Sequence, residues 1–97
     1  MPTYISLINW TEKGVADFKS TVDRAEAGKA LAGAFGGALK EIYWTLGPYD
    51  IVVTSEAPDD ESAAAFALTL AAQGNVRNTT MRAFDGDEMR SIIAKAG

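Results

Sequence analysis

Only one place in the chain joins two strand-like segments with no helix between them, and that junction constrains the fold more than any other feature. Leu39 to Leu46 reads as one strand and Tyr49 to Ala57 as the next, with Gly47-Pro48 as the turn between them. Helix-patterned runs flank this hairpin on both sides. Beyond them lie a first strand, Thr3 to Trp10, rich in β-branched and aromatic residues, and a fourth, Val76 to Phe84. The order is therefore βαββαβ. Right-handed crossovers and short connections then favour a ferredoxin-like α+β fold. Its sheet is antiparallel in strand order 4-1-3-2, with both long helices on one face.

The first helical run opens at Thr11, whose hydroxyl can accept a bond from a free amide of the first turn. Val15, Phe18, Val22 and Ala25 recur at spacings of three and four and read as its buried stripe, continued by Leu31 and Phe35. Gly28 interrupts that run at a cost of about 1 kcal/mol relative to alanine, and Gly36-Gly37 ends it. Arg24 lies off the stripe near Asp17 and Asp23, which suits a structural or interfacial role. In the second run Pro58 stops the strand, and Ala63, Phe66, Ala67 and Leu70 form the inner face. Its many alanines allow close approach to the sheet. Gly74 caps it. A short final helix starts at Asp85-Gly86-Asp87-Glu88 and gathers Met89, Ile92, Ile93 and Ala96 on one face.

Both helices on one face leave the other face bare. Strand one offers Ile5 and Leu7 to one side and Tyr4, Ile8 and Trp10 to the other; strand three offers Ile51 and Val53 against Val52. An apolar second face on a 97-residue chain marks an interface. Pairing of two such faces would give a homodimer built as a dimeric α+β barrel, or a higher oligomer.

Composition narrows the chemistry. Residues 1–97 fit a single domain, and no linker, repeat or low-complexity tract divides them. The chain has neither cysteine nor histidine, so disulfides, thiol catalysis, thiolate or imidazole metal sites and a histidine general base are all excluded. The same lack leaves haem without its usual axial ligands, and no cofactor is expected. A net charge of −4, from nine basic and thirteen acidic residues, argues against nucleic acid as a partner. No stretch is apolar enough to span a membrane, and residues 1–10 lack the basic and apolar regions of a signal peptide. A cytoplasmic location is the default expectation.

The acidic groups Asp59-Asp60-Glu61 and Asp85-Gly86-Asp87-Glu88 sit at helix starts, where capping and the helix dipole account for them; neither has calcium-loop spacing, and no metal site is expected. Gly33, Gly36 and Gly37 lack the Gly-Lys-Ser/Thr ending of a phosphate loop. Glu56 and Arg82, at the Tyr4 end of the sheet, read as a structural ion pair or an interface contact.

Several motifs together resemble the GYD-domain family. They are Asn9-Trp10-Thr11 with Gly14, Tyr43 through Asp50, Glu56 through Glu61, and Gly74 to Arg77 with Arg82-Ala83-Phe84. Gly47, Tyr49 and Asp50 match the residues the family is named for, with Pro48 between them. The resemblance spans nearly the whole chain and implies a small bacterial or archaeal protein of this fold, with no established activity.

The topology brings the end of strand one beside the end of strand two and the starts of strands three and four. Trp10, Tyr43, Trp44, Tyr49, Asp50 and Arg77 are therefore expected at one edge of the sheet as a candidate small-molecule site. Such an edge suits an oligomeric small-molecule-binding or regulatory domain. The alternative is a cofactor-free oxygenase or isomerase of the dimeric α+β barrel kind, with Asp50 as general base against an aromatic substrate.

Overall fold

A computed structural model describes residues 1–97. The strands are β1 (Thr3–Trp10), β2 (Ala38–Trp44), β3 (Ile51–Glu56) and β4 (Val76–Ala83). The helices are α1 (Glu12–Ala16), α2 (Thr21–Ala34), α3 (Asp60–Ala72) and α4 (Gly86–Ala96), with a single 3-10 turn, Phe18–Ser20, between α1 and α2. The sheet runs β2-β3-β1-β4, all antiparallel, which is the expected 4-1-3-2 order. No helix is long and apolar enough to cross a membrane.

Register decides which residues face the helices. Ile8 pairs with Ile51 on β3 and Asn78 on β4, and Ser6 with Val53 and Thr80, so the even-numbered β1 residues look toward α2 and α3. Ile8, Ile51 and Val53 are the buried centre, with Trp10, Leu39, Ile42 and Val76 packed around them. Burying each such side chain contributes about 1.5–3 kcal/mol. Leu39 and Ile42 could not share a face of a regular strand, being three residues apart. A β-bulge at Lys40 shifts the register between Leu39 and Glu41 and turns Ile42 inward with Leu39. The same bulge sends Glu41 and Tyr43 to the opposite face.

The first helical run departs from its pattern. It breaks at Asp17, and Val15, Phe18 and Val22, expected in the core, are 47%, 55% and 55% exposed. The inward row of α2 is instead Ala25, Gly28 and Ala32, small residues that carry little hydrophobic periodicity. Arg24 also lies on this inner side: its guanidinium donates to Asp17 O (2.7 Å) and Gly14 O (3.0 Å), lies 3.5 Å from the Asp17 carboxylate, and so staples α2 to α1. On α1 the buried position is Gly14, pressed against the backbone of Asn75.

The Thr11 hydroxyl caps α1 through the Gly14 amide (3.1 Å) and donates to Gly74 O (2.6 Å), while Thr11 N donates to Asn75 O (3.1 Å). This clasp ties the start of α1 to the turn that follows α3. Asp59 caps α3 through the Ser62 amide (2.7 Å), which holds its carboxyl below the usual range. Asp85 and Glu88 form a reciprocal capping box on α4.

After Phe84 the chain leaves the body, and α4 packs substantially against no other element. The Arg82–Glu88 ion pair (3.3 Å) and the Arg82 guanidinium over the Phe84 ring (4.6 Å) tie down only its first turn. The molecule is accordingly 50 Å long, with a radius of gyration of 14.5 Å, against about 12.5 Å for a compact chain of this size.

Candidate functional site

The six residues expected at one edge do lie at that end of the sheet, but on different sides of it. Trp10 and Trp44 face the helices, opposite Val76 and Ile51 respectively. Tyr43 and Arg77, opposite Val52 and Asn9, fall on the helix-free face. Tyr43 Oη donates to Glu41 Oε2 (2.9 Å), and that neighbouring carboxylate raises the phenol's pKa. Tyr49 contributes its carbonyl to the hairpin turn, accepting from Thr45 Oγ1 (2.6 Å).

Asp50 joins the hairpin to β1. Its Oδ2 accepts from the Trp10 amide (2.9 Å), its own amide donates to Ile8 O (2.9 Å), and its carbonyl accepts from Thr45 N (2.9 Å). These bonds hold the ends of three strands together. The arrangement anchors the backbone that carries Trp10.

Between the sheet and the two long helices lies a cavity of about 110 Å³. Its walls include Ile8, Trp10, Ile42, Ile51 and Val53 from the sheet, Ala25, Gly28 and Ala32 from α2, and Phe66, Ala67 and Leu70 from α3. Phe35 and Phe66 meet edge to face at 6.0 Å in this lining. The alanines of α3 were expected to bring it tight onto the sheet. Their short side chains instead leave the space unfilled, and no α3 residue is fully buried. Alanine and glycine richness on both inner helix faces was the one trace of this cavity in the sequence.

The two tryptophans differ in their polar tips. Trp44 Nε1 donates to Thr21 Oγ1 (3.0 Å), whereas Trp10 Nε1 is buried without a partner.

At the opposite sheet end, Tyr4 is 4% exposed and its Oη donates to Asp60 Oδ1 (2.5 Å). Burial first, and the Asp60 carboxylate second, push its pKa up to about 12. Glu56 and Arg82 do not pair as expected. They occupy opposite faces, and each has its own partner: Glu56 lies 3.8 Å from Lys40, and Arg82 bonds Glu88.

The helix-free face carries Ile5, Leu7, Val52 and Met81 together with Thr54, Glu41, Tyr43 and Arg77. It lies open. Outside the sheet, Val15, Phe18, Val22 and Leu46 are also exposed, as is Trp44 at the end of β2.

The GYD domain family model matches residues 4–93. A Thermus thermophilus protein named glutamine synthetase and cystathionine beta-lyase binding protein is 36% identical over 84 residues, which cover 86% of this chain and 88% of that one. Among solved structures, MtbAldR superposes with a TM-score of 0.68 at 14% identity over 87% of this chain; the match spans about half (53%) of MtbAldR. The Thermus thermophilus protein TTHA0845 gives a TM-score of 0.58 at 23% identity, over 89% of this chain and 96% of that one. Both structures show the same fold.

Proposed function

The chain belongs to the GYD domain family, and as such we propose that it is a non-catalytic regulatory binding domain that self-associates and docks onto other proteins. The observation that carries this reading is how much apolar surface lies outside. Only 8 of 97 residues are buried, while Phe18, Val22, Trp44, Leu46, Met81 and Ile93 are among the large hydrophobics exposed. Large apolar side chains left in solvent on the helix-free face and on the outer row of the first helical run favour interaction surfaces there. The best catalytic candidate, Asp50, has its carboxylate bonded to the Trp10 amide, a job that favours scaffold over chemistry.

The helix-free face suits a second copy of the chain: Ile5, Leu7, Val52 and Met81 supply the apolar centre, and Glu41, Glu56, Lys40 and Arg77 a charged surround. The outer row Val15, Phe18 and Val22 suits a heterologous protein. The Thermus relative's name makes glutamine synthetase and cystathionine β-lyase the first partners to test.

Light scattering on the wild type should give a dimer or larger species at micromolar concentration, and Leu7→Glu should give a monomer. Calorimetric titration into the two enzymes should then show binding to at least one, weakened by Phe18→Asp but not by a surface change such as Lys95→Ala. A wild-type monomer refutes the self-association. Failure to bind either enzyme at tens of micromolar refutes this choice of partner.

A further inference from the structure

The sheet has two edges, and they are finished differently. β2 carries the bulge at Lys40 and the charged pair Lys40-Glu41, devices that discourage further strand pairing. β4 has neither a bulge nor a proline. It pairs with β1 over eight consecutive positions without a shift, and no strand lies on its other side. Its outward-turned N–H and C=O groups therefore take no strand partner over a length of about 25 Å. Beside this edge an open groove of about 660 Å³ runs between β4 and α3. Asp60 and Arg82 line one end, where both meet Tyr4, and Ala71 and Arg77 line the other. On the α3 wall Ala64, Leu68 and Ala71 are exposed. Three of the four arginines are ion-paired, Arg24 with Asp17, Arg82 with Glu88 and Arg90 with Asp87; Arg77 has no carboxylate partner.

We propose that β4 accepts an extended segment of another protein as a fifth, antiparallel strand, lying along the α3 groove and carrying an acidic residue opposite Arg77. In such strand addition the main-chain hydrogen bonds supply the affinity and alternate side chains the specificity. Side chains turned to the helix side would meet Ala64, Leu68 and Ala71, small or apolar neighbours that leave room for β-branched residues. Charge selects the occupant. Val76–Ala83 holds two arginines and no acidic residue, so a second β4 would bring more positive charge to this edge and nothing to neutralise Arg77. A segment with an acid at that position supplies the missing partner. Arg77 is the second residue of β4, so in an antiparallel arrangement this acid lies near the C-terminal end of the segment. The edge groups lie in the plane of the sheet, and self-association through the helix-free face would leave them open. The site is thus additional to the docking surfaces proposed above.

The probe is the peptide acetyl-Thr-Val-Thr-Val-Thr-Val-Glu-Thr-amide. Paired antiparallel across Val76–Ala83, it turns its valines toward α3 and sets its glutamate opposite Arg77. In nitrogen-15 correlation spectra it should bind saturably, with a dissociation constant on the order of 100 μM, and slow the hydrogen exchange of β4 amides that turn away from β1. The β2 amides should not change. Two analogues, one N-methylated at the valines and one at the threonines, separate strand addition from side-chain contact: the one that blocks the amides facing β4 should bind at least about tenfold more weakly. Replacing the glutamate by lysine should weaken binding about two- to fivefold, and Arg77→Glu should reverse that preference. The peptide series uses the wild-type protein, so it decides the question even if Arg77→Glu fails to fold. No protection of β4 at about 1 mM peptide, well above the expected constant, overturns the proposal. So does protection of β2 instead, unimpaired binding of both N-methylated analogues, or an unreversed charge preference. Outward β4 amides already protected without peptide, increasingly so at higher protein concentration, would assign the edge to a second copy and overturn it as well. Neither the two enzymes nor a dimer enters these readouts, so this proposal and the proposed function can fail separately.

Discussion

Replacing Gly14 by alanine sets two effects of opposite sign against each other. Gly14 is helical, and alanine in a helix is favoured over glycine by about 1 kcal/mol. An added Cβ, however, would stand 1.9 Å from Asn75 O, where ordinary contact begins near 3.4 Å. The obstacle is backbone, so the 73–75 turn must retreat by about 1.5 Å, a displacement well beyond side-chain adjustment. That turn accepts Thr11 N at 3.1 Å and Thr11 Oγ1 at 2.6 Å, and neither bond survives such a shift. Overpacking costs about 1–3 kcal/mol and the two bonds about 1 kcal/mol each. The clash wins, for a net loss of about 2–4 kcal/mol. For a chain of this size each kcal/mol moves the melting temperature by about 4–8 °C, so Gly14→Ala should melt at least ~8 °C below wild type by circular dichroism. Gly33→Ala is the control: a Cβ there meets nothing within 4 Å, and the variant should gain about 0.5–1 kcal/mol. If Gly14→Ala melts at or above wild type, propensity governs the site and the clasp is not a structural determinant.

Tyr4 has a folded pKa of about 12, above the unfolded value near 10. Its contribution to stability is therefore complete below about pH 10 and lost as pH rises through about 12; phenolate absorbance, compared with Tyr4→Phe, should show this tyrosine titrating near that upper value while the protein stays folded. Asp50→Asn keeps an acceptor for the Trp10 amide and should cost no more than ~1 kcal/mol, while Asp50→Ala leaves that amide unpaired and should cost about 2 kcal/mol in urea unfolding. Asp85→Ala removes the α4 capping box, worth about 1 kcal/mol of helix stability. Because α4 stands off the body, the variant should lose helical signal with the main melting transition unmoved in dilute solution; a matching drop in that transition would mean α4 is packed.

What the sequence revealed and what it hid divide by range. The strands, the turn at Gly47 and the helix ends at Gly36 and Gly74 rest on local rules, and all three glycines take positive φ. The misreading of Val15, Phe18 and Val22 came from a spacing that fits one continuous helix. The 3-10 turn breaks the phase there, and the true inner row of Ala25, Gly28 and Ala32 is too weakly hydrophobic for periodicity to detect. The Lys40 bulge was hidden for a related reason, since an extra residue in a strand has no fixed composition. Strand order placed Trp10, Tyr43, Trp44, Tyr49, Asp50 and Arg77 at one end. Register then divided them, with the tryptophans toward the helices and Tyr43 and Arg77 on the open face.

That division makes the sheet a partition between two kinds of surface. Along β1, Ile8 and Trp10 line the cavity, while Ile5 and Leu7 lie on the open face. Each side can therefore be altered without touching the other, because alternate residues of one strand point opposite ways. Asp50 is the exception. Its bond to the Trp10 amide sits at the strand end, where the backbone carrying the cavity's tryptophan meets the hairpin carrying Tyr43 and Trp44. A partner that presses on the hairpin would therefore bear on the backbone carrying Trp10 through this one bond. Any coupling between the two surfaces should accordingly be lost in Asp50→Ala and retained in Asp50→Asn, which keeps an acceptor in place.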